Sequence, residues 1–242
     1  MSLDNKVALV TGASRGIGSA IALAYAQRGA IVGCLARSAD AVHQTLRQIG
    51  NGGDRCIALK ADVTNAAQLQ RAIDELVTWA GALDILVANA GINVDRASVE
   101  ESDVERWNET IRVNLFGVYL TVKCALPHLK RAKSAKIILI GSGTGHHARH
   151  SNSSYICSKG GLWALTQALA DELRSDGITV NELIPGPVRT DMTADEARSQ
   201  VMNISGEWRK APEDVAPLAA FLATLPDNGP SGQSFSLMRR TG

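Results

Sequence analysis

The sequence predicts an α/β fold: a single-domain, open, doubly wound parallel sheet of about seven strands with helices on both faces. Three observations carry this. Short β-branched runs alternate with longer stretches of helical period along the whole chain. The runs are almost wholly apolar rather than alternating, as parallel strands covered on both sides require. No linker, repeat or low-complexity segment interrupts residues 1–242, so they read as one domain.

In order, the strand "KVALVTG" is followed by the helix "GSAIALAYAQRG", the strand "AIVGCLA", the helix "ADAVHQTLRQIG", the strand "RCIALKAD" and the helix "AAQLQRAIDELVTWA". The rhythm continues with the strand "DILVANAG", a long helical region over about 102–130, the strand "AKIILIGS" and a helix over about 154–175. The strand "ITVNELI", the turn "PGPV", a helix near 213–223 and a last strand "SFSLM" complete the chain.

Composition narrows the function. With 25 basic against 24 acidic residues and no block of like charge, nothing points to nucleic acid or a membrane surface; the partner is a small molecule or another protein. Cys34, Cys56, Cys124 and Cys157 form no CxxC pair and read as reduced, structural thiols. The start "MSLDNKVALV" has no signal-peptide character and no run is long enough for a membrane span, so a cytoplasmic location is the expectation.

The segment "TGASRGIG", residues 11–18, lies between the first strand and the first helix. Glycine there permits a sharp turn and a close backbone approach to a pyrophosphate, and the helix start presents N–H groups to its charge. A plain glycine-rich turn is the alternative, disfavoured by the strand before and the helix after. The pattern tyrosine, three residues, lysine occurs twice, in "YLTVK" (119–123) and "YICSK" (155–159). Each places a phenol and an ammonium on one helix face. Only Tyr155 follows closely on a strand end carrying a serine, Ser142, so that the two converge at the crevice where open sheets bind ligands. Tyr119 reads as packing or interface, and Lys123 as solvated.

"TGASRGIG", "ANAG" (88–91), Ser142, "YICSK" and "PGPVRT" (185–190), in this order and at these separations, resemble the classical short-chain dehydrogenase/reductase family over essentially the whole chain, and 3-oxoacyl-[acyl-carrier-protein] reductase-like members in particular. The resemblance implies a Rossmann-type NAD(P)-binding fold and interconversion of a ketone and a secondary alcohol by hydride transfer. It assigns cofactor binding to Gly12, Ser14, Arg15, Gly16, Ile17 and Gly18, to Asp62 and Val63 at the adenine, and to Asn89, Ala90 and Gly91. Tyr155 and Lys159 reach the nicotinamide end, and Pro185, Gly186, Val188 and Thr190 close over it. Tyr155 is implied as proton donor and acceptor, Lys159 as the group that lowers its pKa and binds the ribose, and Ser142 as the partner of the substrate oxygen. Asn114 is implied to hold a water that links Lys159 to solvent; it also reads as a polar residue kinking a buried helix, and the two are compatible. Gly143 stands where many members carry a second serine. An unperturbed tyrosine, pKa about 10, must come down by about three units to trade protons near neutrality, roughly 4 kcal/mol.

An NAD enzyme of this fold needs a carboxylate at the end of the second strand. Here stand Ala36, Arg37 and Ser38, with Arg15 expected nearby, and two guanidiniums can clamp a 2′-phosphate. NADP(H) is therefore expected over NAD(H), the alternative being that either arginine is a solvated surface charge. The loop "GTGHHARHSNSSY" holds three of the five histidines. His146, His147 and His150 read first as a solvated loop, next as substrate contacts, and last as metal ligands, since no carboxylate or cysteine accompanies them. The segment from Met192 to Trp208 reads as an apolar lid.

An acyl carrier protein partner is doubtful. "LKRAKSAK" (129–136) is basic, yet Asp171, Glu172 and Asp176 would repel an acidic carrier. The family's C-terminal "DGG" is replaced by "SLMRRTG", where Arg239 and Arg240 would reach a neighbouring subunit. A homotetramer through the helices at 102–130 and 154–175 is implied by the resemblance alone. Polyol or sugar oxidation, a hydroxy-acid dehydrogenase, and a non-catalytic NADP(H) sensor remain as alternatives to a carbonyl reductase.

Overall fold

The structure, a computed structural model, describes residues 2–49, 55–147, 151–193 and 208–238. Seven parallel strands form one sheet: β1 (Val7–Thr11), β2 (Ile31–Ala36), β3 (Cys56–Lys60), β4 (Ile85–Ala88), β5 (Ala135–Ile140), β6 (Ile178–Ile184) and β7 (Ser234–Ser236), in the order β3-β2-β1-β4-β5-β6-β7. The order reverses between β1 and β4, which pair through Ala8 with Ile85 and Val10 with Val87. Their carboxyl ends diverge there, because the following crossovers leave on opposite faces. That divergence is where ligands of open sheets bind.

The predicted apolar runs become strands buried on both faces. Val7, Leu9, Leu86, Ile137, Leu139, Ile178 and Val180 point into one core with α3 (Ala66–Ala80), α5 (Gly117–Leu129) and α6 (Ser153–Glu172). Ala8, Val10, Ile85, Val87, Ile138, Ile140 and Leu183 point into the other with α1 (Gly16–Ala26), α2 (Ala39–Ile49) and α7 (Ala216–Ala223). Strand pleat thus divides each run between two helical layers.

The helix expected over 102–130 is one rod with a fault in it. Asp103 caps α4 (Val104–Ile111) by accepting from Arg106 N, then a π-turn spans Arg112–Phe116 before α5 begins. The Gly117 N–H reaches back five residues to Arg112 O. The inserted residue leaves Asn114 fully buried; such bulges recur at functional sites. The helix expected over 154–175 ends earlier, α6 giving way to a 3₁₀ turn (Arg174–Asp176) and Gly177 at φ +69°.

Candidate active site

At the switch point a cleft of about 680 Å³ opens, within the range of cofactor sites. Its lining includes Gly12, Ser14, Arg15, Gly16, Ile17, Arg37, Ser38, Asp62, Val63, Asn89, Ala90, Gly91, Tyr155, Lys159, Pro185 and Thr190. Nearly all the expected binding residues are thus brought together. Gly18 lies beneath them, buried: a Cβ there would stand 2.4 Å from Gly12 O and 2.5 Å from Asn89 Nδ2. The side chain of Val188 sits in the core while its backbone bridges to Lys210, and neither it nor Gly186 is among the residues lining the cleft.

Thr11, which sequence reading passed over, fastens the two diverging strand ends. Its hydroxyl accepts from Asn89 N (3.0 Å) and Ala90 N (3.1 Å), while Asn89 Nδ2 donates to Thr11 O at 2.8 Å. Asn89 is therefore a clasp between β1 and β4 and not a simple turn residue. Arg37 and Ser38 are exposed at the end of β2, and the carboxylates among the described cleft-lining residues are Asp62 and Asp191. Burial pushes the Asp62 carboxyl up, but hydrogen bonds from Thr64 and the guanidiniums of Arg112 and Arg37 outweigh it and hold the group below its ordinary value. Arg15 is held across the mouth by Asp191 at 3.3 Å.

At the other end of the cleft Lys159 is buried and its Nζ donates to Ile140 O at 2.7 Å. The ammonium lies 5.7 Å from the centre of the Tyr155 ring. Burial brings Lys159 down to about 8, against an upward pull from the Glu182 carboxylate. Tyr155 moves the other way: burial raises it, opposed by a hydrogen bond to the Ser142 hydroxyl and by the Arg96 guanidinium. The expected depression of the phenol is not a property of the protein alone. Ser142 is also within 3.0 Å of the Thr144 hydroxyl, so Gly143 does not leave it isolated.

Asn114 is spent on structure. Its Oδ1 accepts from Ile92 N (2.8 Å), and Nδ2 donates to Ile92 O (2.8 Å) and Ser158 Oγ (3.1 Å). With both amide hydrogens committed, the side chain ties α6, one residue before Lys159, to the loop after β4. The polar residue in a faulted, buried helix is therefore present, and it is compatible with the water-holding role that the resemblance implies.

His146 does not read as a solvated loop residue. Its Nε2 is 2.7 Å from Oε2 of Glu182, a buried carboxylate in β6, and its ring lies 5.5 Å from that of Trp163. His147 is exposed, and His150 lies outside the described residues. Among the described residues no cluster of metal-ligating side chains occurs. Met192 lines the cleft, while Met202 and Ile204 of the expected lid, like Arg239 and Arg240, lie outside the described residues. Cys34, Cys56 and Cys124 are buried as expected; Cys157 is exposed on α6, so the structural reading fails for it.

Gly141, at the end of β5, makes room for Glu182: a Cβ there would lie 1.8 Å from its Oε1. Gly141→Ala is expected to destabilise the protein by about 1–3 kcal/mol through overpacking, read as a fall in melting temperature.

Two features that sequence reading missed, Arg96 and Glu182, lie in a loop and in the middle of an apolar run. Arg96 Nη2 donates to Met192 O at 2.8 Å, joining the segment after β4 to the one after β6.

The family model described as short chain dehydrogenase matches residues 6–201. A 3-oxoacyl-[acyl-carrier-protein] reductase of Vibrio harveyi is 35% identical over 231 residues, 93% of this chain and 92% of that protein. A cis-4-hydroxycyclohexanecarboxylate dehydrogenase of Sinomonas cyclohexanicum is 37% identical over 225 residues, 90% of this chain and 89% of that protein. The solved carveol dehydrogenase of Mycobacterium avium, in complex with NAD, superposes with a TM-score of 0.90 at 27% identity, covering 97% of this chain and 96% of that one. With the whole sheet, the glycine turn and the Ser142, Tyr155, Lys159 constellation in place, the chain belongs to the short-chain dehydrogenase/reductase family, oxidoreductases acting on CH–OH and C=O groups.

Proposed function

We propose that the protein is an NADP(H)-dependent carbonyl reductase acting on a 3-oxoacyl thioester or a ketone of like size, with Tyr155 as proton donor and, in reverse, acceptor. The observation that carries this is the convergence of Ser142, Tyr155 and Lys159 at the end of a cleft whose other end holds Arg37 and Ser38. The glycine turn and the exposed backbone above β1 and β4 fit a dinucleotide diphosphate, and the nicotinamide, when bound, supplies or accepts the hydride. Ser142 orients the carbonyl oxygen by hydrogen bonding. Tyr155 delivers the proton that the alkoxide requires, and the ammonium of Lys159 stabilises the phenolate left behind. A raised Tyr155 keeps its proton through the neutral range, the form a reduction consumes.

The preference for NADP(H) rests on Ala36 and Arg37, with Asp40 exposed and outside the cleft. Arg37→Ala is expected to lower kcat/KM for NADPH by about 10- to 100-fold, the worth of a charge-assisted hydrogen bond, with NADH little affected. Equal losses with both cofactors would remove the basis for the preference.

The basic stretch 129–136 gives little support to an acidic carrier. Lys130 is paired with Asp176 at 2.7 Å and Lys136 with Asp227 at 3.3 Å, so a small thioester is the better substrate. A second reading, oxidation of a hydroxy acid, is favoured by the Arg96 guanidinium beside Tyr155 and by the activity named for the Sinomonas relative. Turnover of NADPH with an acetoacetyl thioester, a diketone, a 2-keto sugar and a 2-keto acid separates these, and tight binding without turnover would indicate a sensor. Assembly as a homotetramer is supported by Phe116, Tyr119 and Trp163, 43–47% exposed on the π-turn, α5 and α6. No helix among the described residues is long and apolar enough to cross a membrane.

A further inference from the structure

Glu182 has no part in the chemistry above, and its place in the fold demands a reason. It lies in β6 on the same face as Ile178 and Val180, towards α6, opposite Leu139 of β5, and is wholly buried. A carboxylate there is costly unless its oxygens are matched. One is: Oε2 accepts from Ser234 Oγ at 2.5 Å and meets His146 Nε2 at 2.7 Å. The other, Oε1, has no hydrogen-bond partner and projects into the space left by the absent side chain of Gly141. Gly141 directly follows Ile140, whose carbonyl holds the Lys159 ammonium. The unmatched oxygen and the buried cation thus share the end of β5.

We propose that Glu182 is a positioning residue of the active site: its buried carboxylate is the counter-charge of Lys159, and His146, half-buried in the loop after β5, is the latch that holds that carboxylate in place. This rests on Lys159 being the working cation of the reaction. Among the described residues, Lys159 is faced by Tyr155 on its own helix, by the Ile140 carbonyl from β5 and by Glu182 from β6. Glu182 is faced by His146 from the loop after β5 and Ser234 from β7, and Arg96 acts on Tyr155 from the loop after β4. The attraction of Glu182 favours the protonated lysine, against the burial that disfavours it. Removing that charge while keeping the shape must let Lys159 lose its proton at lower pH.

The test compares Glu182→Gln with Glu182→Asp, which retains the charge. In the pH profile of kcat/KM for carbonyl reduction, Glu182→Gln is expected to move the alkaline limb down by about one unit and Glu182→Asp to leave it near the wild-type position. An unmoved limb in Glu182→Gln, or equal displacement in both variants, would reduce Glu182 to a structural role and overturn the proposal. A melting-temperature cycle on the cofactor-free protein decides independently of turnover. Lys159→Met is expected to raise the melting temperature by about 2–4 °C more in the Glu182→Gln background than in wild type, since only there does it remove an uncompensated cation. Equal shifts would contradict the pairing. Should Glu182→Gln fail to fold alone, recovery of folding in the double variant supports the pairing and its absence refutes it. If wild type shows no Tyr155-dependent turnover, the functional reading fails while the melting cycle still judges Glu182.

Discussion

Tyr155→Phe is expected to lower kcat for carbonyl reduction by about 10²- to 10⁴-fold, the usual contribution of a positioned general acid, with NADPH affinity and melting temperature close to wild type. The change removes only a hydroxyl. The ring remains in the cleft lining with the Lys159 ammonium 5.7 Å from its centre, so binding surface and packing persist. In the proposed mechanism what is lost is the proton destined for the alkoxide, and with it the hydrogen bond to Ser142. Steady-state kinetics beside a fluorescence titration of NADPH separates the two effects. A fall in affinity matching the fall in kcat would make Tyr155 a binding residue only. Tyr119→Phe is the internal control: Tyr119 is exposed, with Phe116 at 6.2 Å and Lys123 at 5.8 Å, and has no path to the cleft lining.

Lys159→Met is expected to cost about 10²- to 10³-fold in kcat/KM and to abolish the alkaline limb, which in wild type should fall near pH 8. The sign follows from burial. Lys159 titrates near 8 in the folded protein against an ordinary 10.5, so its ammonium, and with it activity, is lost as pH rises through 8. Stability runs the opposite way. Between those values the unfolded chain binds the extra proton and the folded one does not, so this group's contribution makes the fold more stable as pH rises from about 8 towards 10.5. A protein that becomes less active while this contribution to its stability grows distinguishes a desolvated lysine from general alkaline unfolding. Denaturant titrations at matched pH values in wild type and Lys159→Met measure it.

Much of the fold could be read from residues because parallel strands between two helical layers tolerate little but apolar side chains. Each of the seven runs became a strand for that reason. The same logic hid Glu182. A lone acid within "ITVNELI" gives no local signal, since its partners, His146 and Ser234, arrive from residues 36 and 52 positions away. The π-turn at Arg112–Phe116 was equally silent, because it answers to the demand of the Ile92 backbone for Asn114, a contact across 22 residues. The glycine turn, Tyr155 and Lys159 were legible from their neighbours: the turn sits between a strand and a helix, and Tyr155 follows a strand end carrying Ser142, which the same spacing at Tyr119 and Lys123 lacks. The state of Tyr155 was not: desolvation and the Ser142 and Arg96 contacts exist only in the folded site. Arg15 shows the same limit: its place in the cleft lining was legible, its pairing with Asp191 was not.

The most direct measurement follows the hydride itself. Wild-type protein incubated with an acetoacetyl thioester and NADPH deuterated at the transferring position is predicted to yield a hydroxyacyl product labelled at the carbinol carbon, with Tyr155→Phe giving almost none in the same time. Tight NADPH binding with no deuterium in any product, across the thioester, diketone, keto sugar and keto acid, would contradict a Tyr155-dependent reductase and leave a nicotinamide-binding protein without turnover.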